Sequence, residues 1–438
     1  MGDVLVKVRG DGAAFRAAAG VAFGADSTEV ILSVPGGNAP GQLGVASGTG
    51  SSWLRVSAPP LQNPWDAAHA LVASGSAFAA SSTAVIEAVE PDLEQSWFKP
   101  PEEQAALHAV AACTFHDQDS SGSKGTGTGL AWNLLPEYSE LLEARGKISK
   151  TDLHRVIVAH LDTGYDPKHI SLPVHLDLAH QRNFRDKGRP NDATDQTPDG
   201  LSAIRNQGHG TATLALLAGN KLAGTSPSWP GFSDFIGGAP YASVIPVRIA
   251  DWVVRFSTST MVQGFGYAAQ MKAHVLTMSM GGLTSRALVD AVNLAYDSGI
   301  FMVAAAGNNY AWTPTPGSIV FPARFRRVLA ACGVMAGGRA YAGLKPGTMQ
   351  GNYGPASKMD TALGAYTPNV PWAEFGCGQL VSMDGAGTSS ATPQIAAAAA
   401  LWIAKNWTAL QGYSQPWMRV EAVRHALFQA STKHTAKM

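Results

Sequence analysis

The chain has 438 residues, and its 32 Lys+Arg balance 32 Asp+Glu, so the formal net charge is zero. Balanced charge excludes a generic polyanion binder, because a phosphate backbone selects for clustered excess Lys and Arg. An apolar fraction of 45% excludes a mostly disordered chain, and no apolar run reaches the roughly 20 residues that a membrane-spanning helix needs.

Residues 1–95 read as a small α+β unit. Asp3–Val8 alternates apolar and polar side chains, the signature of a half-buried strand. Val30–Val34 and Trp53–Val56 are further strands, and Thr83–Val89 is the last one, before Glu90-Pro91-Asp92. Ala13–Ala19 and Ala67–Ser74 are expected to be helices, and Pro35–Ser52 a loop. Residues 96–131 change character. Pro100-Pro101 breaks the chain, Glu102–Ala112 is predicted as a short helix, and Asp117–Gly129 is polar and Gly/Ser-rich, as linkers are. A linker or processing region belongs here.

From residue 132 to 438, strands alternate with helices. The strands are Val156–Leu161, Ser243–Ile249, His274–Met278, Ile300–Ala305 and Val328–Val334. The helices are Gly210–Ala218, Val262–Lys272, Ala287–Ser298, Thr392–Lys405 and Arg419–Ala430. This alternation predicts an α/β fold: a doubly wound, mostly parallel sheet with helices on both faces. Reactive groups in such sheets collect at the carboxyl ends of the strands.

The three cysteines, Cys113, Cys332 and Cys377, make no disulfide framework and no zinc pair. At most one bridge forms, and Cys332 is expected to be a buried, inert thiol. His154, His160, His169, His175 and His180 precede His209 at spacings that fit no zinc pattern, so no metal ligand set is expected and they are read as solvated loop residues. The N-terminus lacks a charged segment followed by an apolar one, which favours the cytoplasm over secretion with a removed signal.

Four short segments fall at element boundaries. Leu161-Asp162-Thr163-Gly164 ends a buried strand. Gly208-His209-Gly210-Thr211 opens a helix. Ala304-Ala305-Ala306-Gly307-Asn308 ends another strand. Gly387-Thr388-Ser389-Ser390-Ala391-Thr392-Pro393 opens an Ala-rich helix, with Pro393 placed in the first turn, where no N–H is needed. Each alone is compatible with a turn or a cap. Together they supply a complete chemistry. A serine hydroxyl becomes nucleophilic when an imidazole accepts its proton. A carboxylate holds that imidazole in one tautomer. Donors at a helix N-terminus and a side-chain amide stabilise an oxyanion.

In this order the segments resemble the subtilisin-like serine peptidases, over residues 130–438. The resemblance implies Asp162 as orienting acid, His209 as general base, Ser389 as nucleophile and Asn308 as oxyanion donor. Ser279-Met280-Gly281-Gly282 looks like the family's substrate-binding strand, which pairs with an extended protein or peptide substrate. Ala305, Gly307 and Val320 are expected to line the specificity pocket, with Val320 making it shallow and favouring small or medium apolar side chains. The family implies no required cofactor. Calcium stays open because Asp186, Asp192, Asp195 and Asp199 form an acidic loop where such enzymes often bind it, although the spacing of a dedicated calcium loop is missing. Residues 1–95 are similar to the family's inhibitory prodomain, which would make the chain a zymogen and its own N-terminal domain an intramolecular inhibitor. No nucleic acid or membrane is expected as a partner. The rival reading is a non-catalytic or permanently masked peptide-binding module on the same fold.

Overall fold

The computed structural model describes residues 3–10, 15, 28–36, 50–57, 63–79, 85–96, 113–115, 129–196, 208–224, 229–253, 255–310 and 317–432. The expected helices Ala13–Ala19 (Phe15 apart) and Glu102–Ala112, most of the loop Pro35–Ser52, and residues 116–128 of the linker lie outside them. The chain divides into two compact units.

The first unit comprises Met1–Gln95 with Phe256–Tyr267 and Thr284–Ala295. Its sheet is built from β1 (Val4–Arg9), β2 (Thr28–Val34), β3 (Ser51–Val56) and β4 (Val85–Pro91), in the antiparallel order β2-β3-β1-β4. Val4, Val6 and Val8 point to one side and pack with Leu54, Val56 and with Ala67, Ala68 and Leu71 of α1 (Pro64–Ala79). Leu5 is also buried, so β1 is covered on both faces rather than one. Helix α1 starts before the expected Ala67. Asn63 accepts the N–H of Trp65 at 2.9 Å, and Pro64, pre-set to helical φ, takes the first position. Strand β4 runs on to Pro91, which is tolerated because β4 is an edge strand. The helix starting at Thr258 has the N–H of Ser259 bonded to Asp92 at 2.9 Å. The helix starting at Arg286 has the N–H groups of Arg286 and Ala287 bonded to Glu90 at 2.8 and 3.0 Å. Both carboxylates satisfy donors that a helix start leaves open, and both meet the positive end of the helix dipole.

The second unit holds a seven-stranded sheet. Its members are β5 (Ile157–Asp162), β6 (Arg182–Asn183), β7 (Ser243–Arg248), β8 (Val275–Met278), β9 (Phe301–Ala305), β10 (Leu329–Val334) and β11 (Ala362–Tyr366). The order is β11-β10-β9-β8-β5-β7-β6, with every neighbouring pair parallel. The expected strands are all present, within a residue or two at their ends. Strand β11 was not foreseen: Gly364 interrupts a short, partly exposed edge segment, which erases its periodicity. The hairpin Val370–Ala373 and Val381–Gly385 was missed for the same shortness. Helix α2 (His209–Ala218) is buried at every position, and α3 (Gly387–Lys405) at nearly every one. A helix apolar all round belongs inside a core, and the alanines of α3 pack there with Val275, Val303, Leu329 and Ala331 of the sheet. Among the described residues no helix is long and apolar enough to cross a membrane.

Cys113 and Cys377 are disulfide-bonded across 264 residues of sequence, and Cys332 is free and buried. Burial pushes the Cys332 thiol up to about 12, which makes it inert. A bridge closing so long a loop restricts the unfolded chain strongly. Its removal by Cys113→Ser/Cys377→Ser is expected to lower unfolding free energy by about 3–5 kcal/mol, read as a lower urea midpoint with a steeper slope, because the unfolded chain expands.

Candidate active site

Strands β8, β5 and β9 lie together in the middle of the sheet, and the chain leaves β5 first to one side and then to the other. That reversal opens a crevice at their carboxyl ends. Asp162 closes β5, Ser279 follows β8, and Gly307 and Asn308 follow β9.

His209 is the first residue of α2, behind Gly208 in the left-handed region (φ 73°). Both flanking glycines are required. A Cβ on Gly208 would lie 2.1 Å from Cβ of Phe375, and one on Gly210 would lie 2.0 Å from the carbonyl of Gly164. His209 is 2% exposed, and its Nδ1 stands 2.7 Å from Oδ1 of Asp162, itself 1% exposed. Burial works to raise the Asp162 carboxyl, but the neighbouring His209 charge and hydrogen bond, with His160 and the N–H of Thr163, bring it below the usual carboxylate range. An ionised carboxylate only accepts, so Nδ1 donates and Nε2 is left as the acceptor. Nε2 is buried and has no hydrogen-bond partner among the described residues. The Trp372 ring packs edge-on against the imidazole at 5.7 Å.

Ser389 lies in the first turn of α3, mostly buried. Its hydroxyl donates to the carbonyl of Ser279 at 3.1 Å, and the Ser279 hydroxyl donates back to the Ser389 carbonyl at 3.0 Å. The second bond corrects the expectation for Pro393. The helix begins at Gly387, so Pro393 sits in its interior rather than in the first turn. A proline there cannot donate to the carbonyl four residues back, which is that of Ser389; Ser279 supplies the missing donor. Asn308 is oriented by its Oδ1, which accepts the N–H of Thr388 at 2.9 Å. Gly387 (φ +78°) leaves room for that amide, since a Cβ would come within 2.8 Å of Nδ2. No hydrogen bond joins Ser389 to His209 in this conformation; the serine is turned toward Ser279.

Gly281, Gly307 and Val320 come together. A Cβ on Gly281 would lie 2.7 Å from Val320 Cγ2, and one on Gly307 would lie 3.1 Å from the same methyl. Ala305 and Met280 are buried beside them in sequence. Gly282 exchanges both backbone bonds with Phe321, at 2.6 and 3.0 Å.

The acidic loop is neutralised from within the protein. Arg248, 1% exposed at the end of β7, pairs with Asp186 at 2.7 Å, Asp251 at 2.9 Å and Asp195 at 3.3 Å, and donates to the carbonyl of Thr163. Asp195 in turn accepts the N–H of Gly208 at 3.1 Å. Asp192 binds Thr194 and the cation of Arg189, while Asp199 lies outside the described residues. Asp186, Asp192 and Asp195 do not fit a calcium site, because guanidinium groups already hold them. Among the described residues no group of three or more His, Cys, Asp or Glu is placed to hold a metal. The solvated-loop reading of the histidines fails for two of them. His160 is buried within β5 on Thr213, and His169 is buried between Ser171 and the carbonyl of Leu380. His160 alternates with Asp162 along one strand, a period-2 signal that was available in the sequence. Arg248 carried no such signal, since nothing local marks a buried arginine.

Residues 154–438 match the model of the Subtilase family. Subtilisin DY of Bacillus licheniformis is 29% identical over 218 residues, 49% of this chain and 70% of that protein. The alkaline protease of Alkalihalobacillus alcalophilus is 27% identical over 315 residues, 71% of this chain and 70% of that protein. Subtilisin Savinase of Lederbergia lenta is 30% identical over 260 residues, 58% of this chain and 80% of that protein. With this breadth of match laid over a parallel α/β sheet, the chain belongs to the subtilase family and is a serine-type endopeptidase.

Proposed function

We propose that Ser389 is the nucleophile of this endopeptidase, His209 its general base, Asp162 the orienting acid and Asn308 the side-chain donor to the oxyanion. The observation that carries the reading is His209 Nε2: buried, without a hydrogen-bond partner among the described residues, and on a ring whose other nitrogen is tied to a buried carboxylate. Rotation of Ser389 away from Ser279 brings its hydroxyl proton to Nε2. Oγ then attacks the scissile carbonyl, and the oxyanion takes hydrogen bonds from Asn308 Nδ2 and the Ser389 N–H. His209 returns the proton to the leaving amine, and water releases the acyl-enzyme by the reverse path. A fluorophosphonate probe is expected to label the purified chain and to leave Ser389→Ala blank. Absence of labelling in both precursor and processed chain overturns the assignment.

Substrate lies extended against Ser279–Gly281, without the expected Gly282, whose backbone groups are both bonded to Phe321; its side chain on the acyl side of the scissile bond enters between Gly281, Gly307 and Val320. The Val320 methyl that touches both glycine walls makes this pocket shallow. Val320→Ala is expected to raise kcat/KM for Phe over Ala at that substrate position by about tenfold. A wild-type enzyme already selective for aromatic or basic residues, measured on a peptide p-nitroanilide series, defeats this.

Residues 1–95 act as an intramolecular inhibitor, with processing in 96–131 ahead of a catalytic domain at 132–438. The Glu90 and Asp92 carboxylates, bonded to the N–H groups of two helix starts, tie residues 1–95 to segments 256–267 and 284–295 within one compact unit, which supports this reading. N-terminal sequencing of active enzyme is expected to find a new terminus within 96–131; full activity in an intact chain speaks against it. At Asp186 and Asp195 of the acidic loop Arg248, not calcium, supplies the cation. The Cys113–Cys377 bridge favours an oxidising compartment over the cytoplasm. A free-thiol count of one on the native chain fits this, and a count of three does not.

A further inference from the structure

Two buried polar side chains behind the Asp162–His209 pair have no part in the reaction described. His160 lies two residues before Asp162 on β5, so both side chains leave the same face of the strand; it is 3% exposed. Thr213 is fully buried on α2, one turn after His209. His160 Nε2 stands 2.9 Å from Thr213 Oγ1, and that oxygen stands 3.1 Å from Asp162 Oδ2. Oδ1 of Asp162 is occupied by His209 and the N–H of Thr163. Oδ2 has Thr213 as its hydrogen-bond donor among the described residues, since His160 itself is 3.9 Å away.

The Thr213 hydroxyl carries one proton, and several acceptors compete for it. Besides Oδ2 these are the carbonyls of His209 at 3.1 Å and Gly210 at 3.3 Å, the usual acceptors for a helical threonine. The fourth is His160 Nε2, if that nitrogen is bare. We propose that His160 is a positioning residue: as the neutral Nε2–H tautomer it donates to Thr213 Oγ1 and thereby directs the threonine proton onto Oδ2 of Asp162. With the imidazole donating, the choice is between a carboxylate and two neutral carbonyls, and charge decides for the carboxylate. Donation into Oγ1 also polarises the O–H bond and strengthens what it gives. In the other tautomer the proton goes to the imidazole, and a buried carboxylate oxygen loses its donor, which is costly.

Burial keeps His160 neutral by pushing its imidazole down to about 4, against the pull of Asp162 and with the help of His209, the two titratable groups that face it. A neutral ring matters here, because a cation would oppose the imidazolium that forms on His209 during proton transfer. The two catalytic elements, β5 and α2, are thus tied twice: once through His209 and once through Thr213.

The inference rests on Asp162 and His209 as the acid and base proposed above. Its test uses the full chain, matured in expression, assayed on a peptide p-nitroanilide and labelled with a fluorophosphonate. Thr213→Val and His160→Leu are each expected to lower kcat about tenfold with KM changed by less than about twofold. Thr213→Ser and His160→Gln keep the hydroxyl and the donor and recover most of the rate. The double variant His160→Leu/Thr213→Val is no slower than Thr213→Val alone, because His160 acts through that hydroxyl. If the leucine variant does not accumulate as folded protein, His160→Asn, polar but too short to reach Thr213, takes its place. Unchanged kcat in Thr213→Val, a glutamine variant as slow as the leucine one, or losses that multiply in the double variant each overturn the proposal. A parent chain that labels while these variants behave like it isolates the failure to His160; a parent chain that does not label places the failure in the assignment of the triad.

Discussion

Replacing Asp162 by Asn is expected to lower kcat about 10,000-fold while KM changes by less than about threefold. The size follows from what the carboxylate does. His209 Nδ1 is 2.7 Å from Oδ1 and both groups are buried, so no water substitutes for the lost acceptor. An asparagine keeps the shape, but an amide that presents NH2 to Nδ1 also takes away the oxygen that accepts the Thr163 N–H. The imidazole then carries its proton on Nε2, the nitrogen that must be bare to receive the proton of Ser389. The carboxylate also balances the imidazolium of the transition state, and an amide does not. Neither effect touches the walls formed by Gly281, Gly307 and Val320, which is why binding is spared. Steady-state kinetics on a peptide p-nitroanilide checks both parameters. A fall of less than about tenfold in kcat would mean that this carboxylate does not set the tautomer of the base. The Asp162 carboxyl is held below its ordinary range, so the stability it contributes is present above the unfolded carboxylate pKa and is lost as pH falls through the folded value.

Much of this site was legible because its parts are local. Val158, Ala159 and Leu161 announce a strand buried on both faces, and an acid at its end followed by Gly164 announces a turn. Gly208 and Gly210 flank a histidine because a side chain at either position collides with a neighbouring loop. What was not legible depends on groups far apart in sequence. Pro393 looked like a first-turn proline because the sequence does not say where α3 starts; its tolerance depends on Ser279, more than a hundred residues earlier, donating to the carbonyl that the proline leaves open. Pairing of Cys113 with Cys377 is likewise a tertiary fact. The acidic loop suggested a cation, and the cation proved to be a guanidinium from β7. His160 is intermediate: its register with Asp162 was visible, but its burial depended on Thr213 arriving from α2.

Arg248→Met is expected to destabilise the catalytic unit by about 3–5 kcal/mol, although methionine fills much of the same space. Arg248 is the buried cation of a network that includes Asp186, Asp195 and Asp251, with the Asp195 carboxylate wholly buried beside it. Removing the cation leaves the desolvation cost of these carboxylates without its counterpart, and that asymmetry sets the size of the effect. Burial works to raise the Asp186 carboxyl, but hydrogen bonds from Arg248 and Asn183 hold it below its ordinary range. The sign of the pH dependence follows. In the parent chain this stabilisation is present above the unfolded carboxylate pKa, about 3.9, and is lost as pH falls through the depressed folded value. In Arg248→Met the carboxylates are relieved by protonation, so the gap between variant and parent is widest near neutral pH and narrows toward pH 4. The damage also reaches the site. Asp195 accepts the N–H of Gly208, and Arg248 holds the carbonyl of Thr163, the residues that flank His209 and Asp162. A network that only stabilised would leave kcat intact at temperatures where the variant is folded; one that also aligns the two catalytic elements lowers kcat there. Urea midpoints at pH 7 and pH 4.5, taken on the Ser389→Ala background so that no autolysis intervenes, together with kcat at 15 °C on chains that keep Ser389, separate the two outcomes. A midpoint unchanged at pH 7 would show that Arg248 is not the counter-charge of this loop.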